Sequence, residues 1–219
     1  MENPLRGAES GGSGLNGALP GLQLIETLLW DGAQLVRLDR HLARLARGAA
    51  RLGWAAPQDA GAVLRAACPQ GPARMRLALE ASGRIAITAG PLAAAKPLWR
   101  MAVAPAVLDP DDAWLGVKSS HRALYDAERA ALPAGLDEWL FLNRRGECCE
   151  GTISNLFFDL GQGLCTPPLG CGLLPGILRE EMLAQGRCRE AVLTAADLPR
   201  ARLWLGNSLR GLIAAELAD

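Results

Sequence analysis

Primary amines are scarce in this chain. Among 219 residues and 23 basic side chains, only Lys96 and Lys118 are lysines. A codon preference for arginine is the plain cause. The consequence is chemical, because arginine stays protonated and a step that needs a neutral amine has only these two candidates. Histidines number two, and no Cys-x-x-Cys pair occurs among Cys68, Cys148, Cys149, Cys165, Cys171 and Cys188, which argues against a zinc site. No apolar run reaches membrane-spanning length. Net charge is zero and the pI is about 6.7, so the basic surface of a nucleic-acid binder is missing. Residues 1–20 lack the apolar centre of a signal peptide and read as a flexible Gly/Ser leader. Without a secretory context the thiols are expected to be reduced, in a cytoplasmic protein.

Half of the residues are hydrophobic, enough for one large or two small cores. "LQLIETLLW" alternates and predicts a strand; Asp31-Gly32 is a turn signal and "QLVRL" a return strand, together a hairpin. Asp39 is placed to cap a helix over "RHLARLARGAARLG", and a second helix is predicted over 58–67. "ARMRLALE" and "RIAITAG" form another hairpin about Ser82-Gly83, followed by a strand at "WRMAVAPAV". "LDPDDAWLG" has linker composition. Beyond it a helix is predicted over 120–131, with strands at 138–142, 155–160 and 163–166. "LPGILREEMLAQG" is punctuated as a helix by Pro175 and Gly186. A strand near 190–193, a short helix near 195–198 and a strand at 202–205 complete the reading. Hairpins mixed with helices favour two α+β domains over a doubly wound sheet: a leader 1–20, a domain 21–107, a linker 108–117 and a domain 118–219.

Lys118 follows the linker. Desolvated in a cleft, its amine would lose basicity and could condense with a carbonyl; on its own it is more often a solvated lysine, and Lys96 is the weaker candidate. Gly176-Ile177-Leu178 opens a helix, where free N–H groups and the dipole favour an anion. "GNSLRG" (206–211) offers Ser208 and backbone donors. Arg44 could add a charged fork, whereas Arg37, Arg40, Arg47 and Arg51 are expected on a solvated face. Glu150 stands at a strand edge in "CCEGTISNLFF". A lysine, phosphate donors and a carboxylate together are what pyridoxal 5′-phosphate requires, the carboxylate keeping the pyridine nitrogen protonated.

Five ordered blocks give this set a family likeness: "IET" with "HLARL", K-x-x-x-R at Lys118 and Arg122, "EGTISNLF", "TPPLGCGLLPGILRE", and "GNSLRG". From about Leu22 to Leu212 the chain resembles the class IV aminotransferases, the fold-type IV pyridoxal-phosphate enzymes. The resemblance implies a two-domain α+β fold like that of D-amino acid aminotransferase, with the cofactor in the interdomain cleft of a homodimer. It implies that Lys118 is the Schiff-base lysine and Glu150 the partner of the pyridine nitrogen. It also implies a phosphate held by Arg44, by the backbone N–H groups of Ile177 and Leu178, and by Asn207 and Ser208. Branched-chain members carry a tyrosine where this chain has Ala123. "KSSHRALYDAER" and "NSLRG" look more like the 4-amino-4-deoxychorismate lyase subgroup, which makes 4-aminobenzoate and pyruvate on the route to folate. An amino-acid aminotransferase (branched-chain or D-amino acid type) and a non-catalytic cofactor-binding protein are the alternatives. The family's usual N-terminal strand and loop are replaced by the leader, and "LEASGRIAI" makes a tight turn where many members have a longer loop. No residue is therefore assigned to a substrate carboxylate.

Overall fold

The computed structural model describes residue 15 and residues 17–218, so most of the predicted leader lies outside the described residues. Its end does not read as a loose tail: Leu15 and Leu19 pack against the first core, and Trp54 donates its indole N–H to the Gly17 carbonyl.

Among the described residues, ten strands form two sheets, accompanied by four α-helices. The first is antiparallel, β1 (Gln23–Trp30), β2 (Ala73–Glu80) and β3 (Ile85–Gly90) in that order. Alternation along β1 sends Leu24 and Leu28 inward, where they meet Leu38, Leu45 and Ala49 of helix α1 (Leu38–Arg51) and Leu64 of α2 (Ala60–Ala66) in one core. Burying a leucine of this kind contributes about 1.5–3 kcal/mol. The second sheet is mixed, in the order β5-β4-β10-β9-β6-β7-β8. Its strands are β4 (Leu98–Leu108), β5 (Glu138–Asn143), β6 (Asn155–Asp159), β7 (Cys165–Thr166), β8 (Arg189–Glu190), β9 (Arg202–Asn207) and β10 (Gly211–Leu217). Strand β6 is buried on both faces: Phe158 joins the core with Leu140 and Leu205, while Phe157 packs under Leu178 and Met182 of α4 (Ile177–Ala184). That explains its continuous apolar run. Helix α3 (Ala123–Ala130) lies beside β4 and β5. All six cysteines are unpaired, and no helix among the described residues is long and apolar enough to cross a membrane.

Several sequence expectations need correction. "QLVRL" is not a return strand. The Asp31 side chain accepts from the Ala33 and Gln34 N–H groups, a single bridge joins Trp30 to Leu35, and the partner of β1 is β2. Asp39 does not cap α1; it lies in the first turn, and the cap position is Arg37 in a left-handed conformation. The helix predicted from 120 starts at Ala123 because Lys118–Ser120 is drawn along the free edge of β1: Ile25 N–H donates to the Lys118 carbonyl at 2.9 Å, and Ser120 N–H donates to the Gln23 carbonyl at 2.8 Å. The strands predicted at 163–166 and 190–193 shrink to Cys165–Thr166 and Arg189–Glu190, and the short helix at 195–198 is a 3-10 turn over Ala195–Arg200. "GNSLRG" turns β9 into β10, a strand the sequence reading lacks, which is held between β9 and β4. The chain also changes sheets earlier than the predicted linker. Strand β4 already belongs to the second sheet, and the crossing is the irregular Pro91–Pro97 stretch.

Candidate active site

A cleft of about 560 Å³ opens between the sheets. Arg44, Lys118, Glu150, Ile177, Asn207 and Ser208 all line it, from five separate parts of the chain. The Leu178 side chain does not; it points into the core beneath α4, leaving only its backbone as a contributor. Lys96 is elsewhere, paired with Asp137 on the surface.

Lys118 follows a 3-10 turn (Ala113–Gly116) whose Trp114 N–H is capped by the Asp112 side chain and whose carbonyls at Ala113 and Gly116 are held by Arg51. The lysine itself is half-buried. Desolvation, assisted by the nearby Arg44, lowers its amine from 10.5 to about 8, with Glu26 and Glu150 opposing. Near neutrality a small neutral fraction is therefore available as a nucleophile or base.

The Glu150 carbonyl accepts from the Phe141 N–H at 2.8 Å, and a single bridge pairs Glu150 with Asn155. Burial raises its carboxyl to about 7 against the pull of its hydrogen bonds. Tyr125 donates to Oε1 at 2.8 Å and Asn155 Nδ2 to Oε2 at 3.3 Å. The turn that follows, 151–154, is organised by a second, fully buried carboxylate. Glu138 accepts from Thr152 N–H at 3.0 Å, Ile153 N–H at 3.2 Å, Ser154 Oγ at 3.0 Å and Arg129 Nη1 at 3.1 Å. A side chain at Gly151 would meet Glu138 at 2.7 Å, so the turn closes on that carboxylate only with glycine.

The far end of the cleft is built around Arg44, which is buried. Its Nε and Nη2 donate to the two oxygens of Glu26 at 2.8 and 2.6 Å, and Nη1 donates to the Pro175 carbonyl at 3.1 Å. A guanidinium has five N–H donors, so one on each of Nη1 and Nη2 remains for a ligand. Next to it, α4 starts at Ile177 with no side-chain cap. Gly176 lets that start press against Asn155, where any Cβ would collide with Oδ1. The Asn207 side chain fastens the β9–β10 turn by accepting from Leu209 and Arg210 N–H and donating to the Ile153 carbonyl at 3.0 Å. His41 bridges Glu26 and Ser208. Free N–H groups at a helix start beside an arginine are a general anion site.

Arg37, Arg40 and Arg47 do not simply face water. They reach α4, Arg37 pairing with Glu181 and the other two with Glu180. Glu26, His41, Tyr125 and Glu138 were not singled out by the sequence reading. Glu26 had a usable signal, a charge on the inward face between Leu24 and Leu28.

The amino-transferase class IV family model matches residues 23–216, and the chain belongs to that family of pyridoxal-phosphate-dependent enzymes. A solved structure from Mesorhizobium loti, provisionally named an amino-acid aminotransferase, is 45% identical with a TM-score of 0.85, over 90% of this chain and 100% of that one. A protein of Schizosaccharomyces pombe, provisionally named an aminodeoxychorismate lyase, is 28% identical over 76% of this chain and 75% of its own. The 4-amino-4-deoxychorismate lyase of Pseudomonas aeruginosa shares the fold, at 24% identity and a TM-score of 0.78, over 98% and 89% of the two chains. The donor set of the cleft suits the family's cofactor: a desolvated amine, a buried acid, and a cluster of anion donors around Arg44.

Proposed function

We propose that the protein is a pyridoxal-phosphate-dependent lyase that converts 4-amino-4-deoxychorismate to 4-aminobenzoate and pyruvate. In this reading Arg44, the first N–H groups of α4 at Ile177 and Leu178, and the Asn207–Ser208 turn hold the cofactor phosphate. Lys118 supplies the amine that anchors the aldehyde, and Glu150 keeps a proton on the pyridine nitrogen. Pyridoxal phosphate, when bound, supplies an aldehyde that condenses with amines and a ring that accepts electrons from the carbon bearing the nitrogen. Lys118, as the neutral amine, would take the proton from that carbon of the substrate. The neighbouring carbon–oxygen bond breaks, enolpyruvate leaves and becomes pyruvate, and the substrate ring becomes aromatic. A depressed amine basicity fits both tasks.

The observation that carries the choice of substrate is the positive charge at the cleft mouth. Arg74, Arg76 and Arg210 line it, and none forms an ion pair among the described residues. A substrate with two carboxylates, as aminodeoxychorismate has, would satisfy them. A second reading, an amino-acid aminotransferase, is favoured by the name of the 45% identical Mesorhizobium loti protein. One incubation separates the two. A lyase ends each turnover with the cofactor as the aldehyde and needs no keto-acid acceptor. Equimolar 4-aminobenzoate and pyruvate over many turnovers, from aminodeoxychorismate alone, support the lyase. Absence of aminobenzoate, with amino acids bleaching the bound cofactor until a keto acid is added, assigns the aminotransferase. No turnover in either assay leaves a cofactor-binding protein.

A further inference from the structure

Beside Arg44, three buried side chains form an unbroken chain. His41 Nδ1 lies 2.6 Å from Glu26 Oε2, and His41 Nε2 lies 2.8 Å from Ser208 Oγ. Glu26, His41 and Ser208 are 2%, 1% and 7% exposed, so water cannot readily replace any of these bonds. The direction of each hydrogen follows from the neighbours. Glu26 already accepts two hydrogen bonds from Arg44, and that guanidinium and His41 overcome burial to hold its carboxyl down at about 2. As a carboxylate it can only accept, so His41 Nδ1 carries a hydrogen. Burial, with Arg44 and Lys118 nearby, lowers the basicity of the ring despite Glu26. A neutral ring protonated on Nδ1 has a bare Nε2. The contact with Ser208 then requires the hydroxyl to donate to His41.

That polarity is wrong for an anion. Ser208 lines the cleft, yet its hydrogen is turned inward and its lone pairs face outward. If the hydroxyl rotates to serve a phosphate oxygen, Nε2 is left buried without a partner, which is costly. A proton on Nε2 removes the conflict, because the ring then donates to Ser208 Oγ while Ser208 donates to the anion. We propose that binding of a phosphate monoester at this end of the cleft is coupled to the uptake of one proton from solvent by His41 Nε2, so that Ser208 becomes a phosphate donor. The inference rests on the proposed phosphate site and adds a proton to it. No covalent bond changes; the proton comes from solvent and returns to it on release.

The other charges around His41 do not duplicate this role. On β1 the facing group is Glu26. On α1 it is Arg44, and from the cap position before α1 Arg37 donates to the Ser208 carbonyl at 3.2 Å. Lys118 faces the ring from the segment before α3. On α4, Glu180 and Glu181 are occupied by Arg40, Arg47 and Arg37. Lys118 also loses charge as pH rises, and this weakens anion binding in the same direction. The variant His41→Asn keeps that contribution and removes only the imidazole.

The probe is pyridoxine 5′-phosphate, which has the phosphate but no aldehyde to react with Lys118. Its second phosphate ionisation lies near 6, so it is a dianion at pH 7.5. Binding is followed by calorimetry in two buffers of different ionisation enthalpy. The wild-type protein is expected to take up close to one proton more per bound ester than His41→Asn. Its Kd is expected to rise with pH more steeply than the variant's, by up to about tenfold per pH unit for one linked proton. Histidine-selective ¹⁵N NMR of the wild-type protein gives an independent reading should His41→Asn fold poorly. The chain has only two histidines, and His121→Gln assigns the spectrum. His41 is expected to change on ligation from one protonated and one bare ring nitrogen to two protonated nitrogens. Binding with His41 still neutral, or equal proton uptake in His41→Asn, overturns the coupling and leaves the proposed function standing. Failure to bind the ester at all overturns the phosphate site and the coupling together.

Discussion

Replacing Lys118 by methionine should make the cofactor-free protein more stable. The cleft holds the amine near 8, against 10.5 in an unfolded chain. The folded state therefore binds fewer protons than the unfolded state between these values, and stability rises with pH across that window. Below 8 both states carry the charge, and the folded state bears the full desolvation cost. At 1.36 kcal/mol for each tenfold change in proton affinity, the depression corresponds to about 3 kcal/mol. Lys118 keeps some access to water, so a gain of about 1–2 kcal/mol is a fairer expectation after allowance for screening. Methionine fills a similar volume without the charge. Urea unfolding of the two cofactor-free proteins should give a higher midpoint for Lys118→Met at pH 7, with an unchanged slope, and the difference should fade towards pH 10.5. A solvated lysine predicts something else: a change within about 0.5 kcal/mol, the same at every pH. That result would refute the claim that the cleft desolvates this amine.

Glu150→Gln should retain the cofactor and lose turnover about ten- to a hundredfold, from one charge-assisted hydrogen bond of about 1.5–3 kcal/mol; unchanged turnover removes Glu150 from the site. Tyr125→Phe removes a hydrogen bond that lowers the Glu150 carboxyl. Its value should rise further above 7, and the acid limb of the activity profile should move to higher pH; an unmoved profile disconnects the two residues. Arg44→Ala should weaken cofactor affinity by at least tenfold by fluorescence titration, whereas Arg47→Ala, which loses a surface pair with Glu180, should not. Arg74→Gln with Arg76→Gln should raise KM for aminodeoxychorismate while leaving cofactor affinity unchanged; an unaltered KM would take the substrate carboxylates elsewhere.

Local patterns made much of this molecule legible. Alternation marked β1, β2 and β3, a Pro-Gly start and a glycine stop marked α4, and the ordered blocks brought six of the expected residues to one cleft. What stayed hidden depends on distant partners. Lys118–Ser120 reads locally as the approach to a helix, but β1 captures it as an edge segment. Strand β10 has little intrinsic strand character in "GLIAAEL" and is fixed by β9 and β4. Arg37, Arg40 and Arg47 look solvated because their acidic partners lie more than a hundred residues later on α4. His41 and Glu26 were inside quoted motifs, but their roles emerge only when a strand face, a helix face and a hairpin turn converge.

The central claim is that Lys118 carries the cofactor. Reduction of the cofactor-loaded protein with borohydride, followed by peptide mass mapping, tests it directly because only two lysines compete. The account predicts a stable pyridoxyl adduct on Lys118 in the wild-type protein and none in Lys118→Ala. An adduct on Lys96, or one that persists in Lys118→Ala, would contradict it.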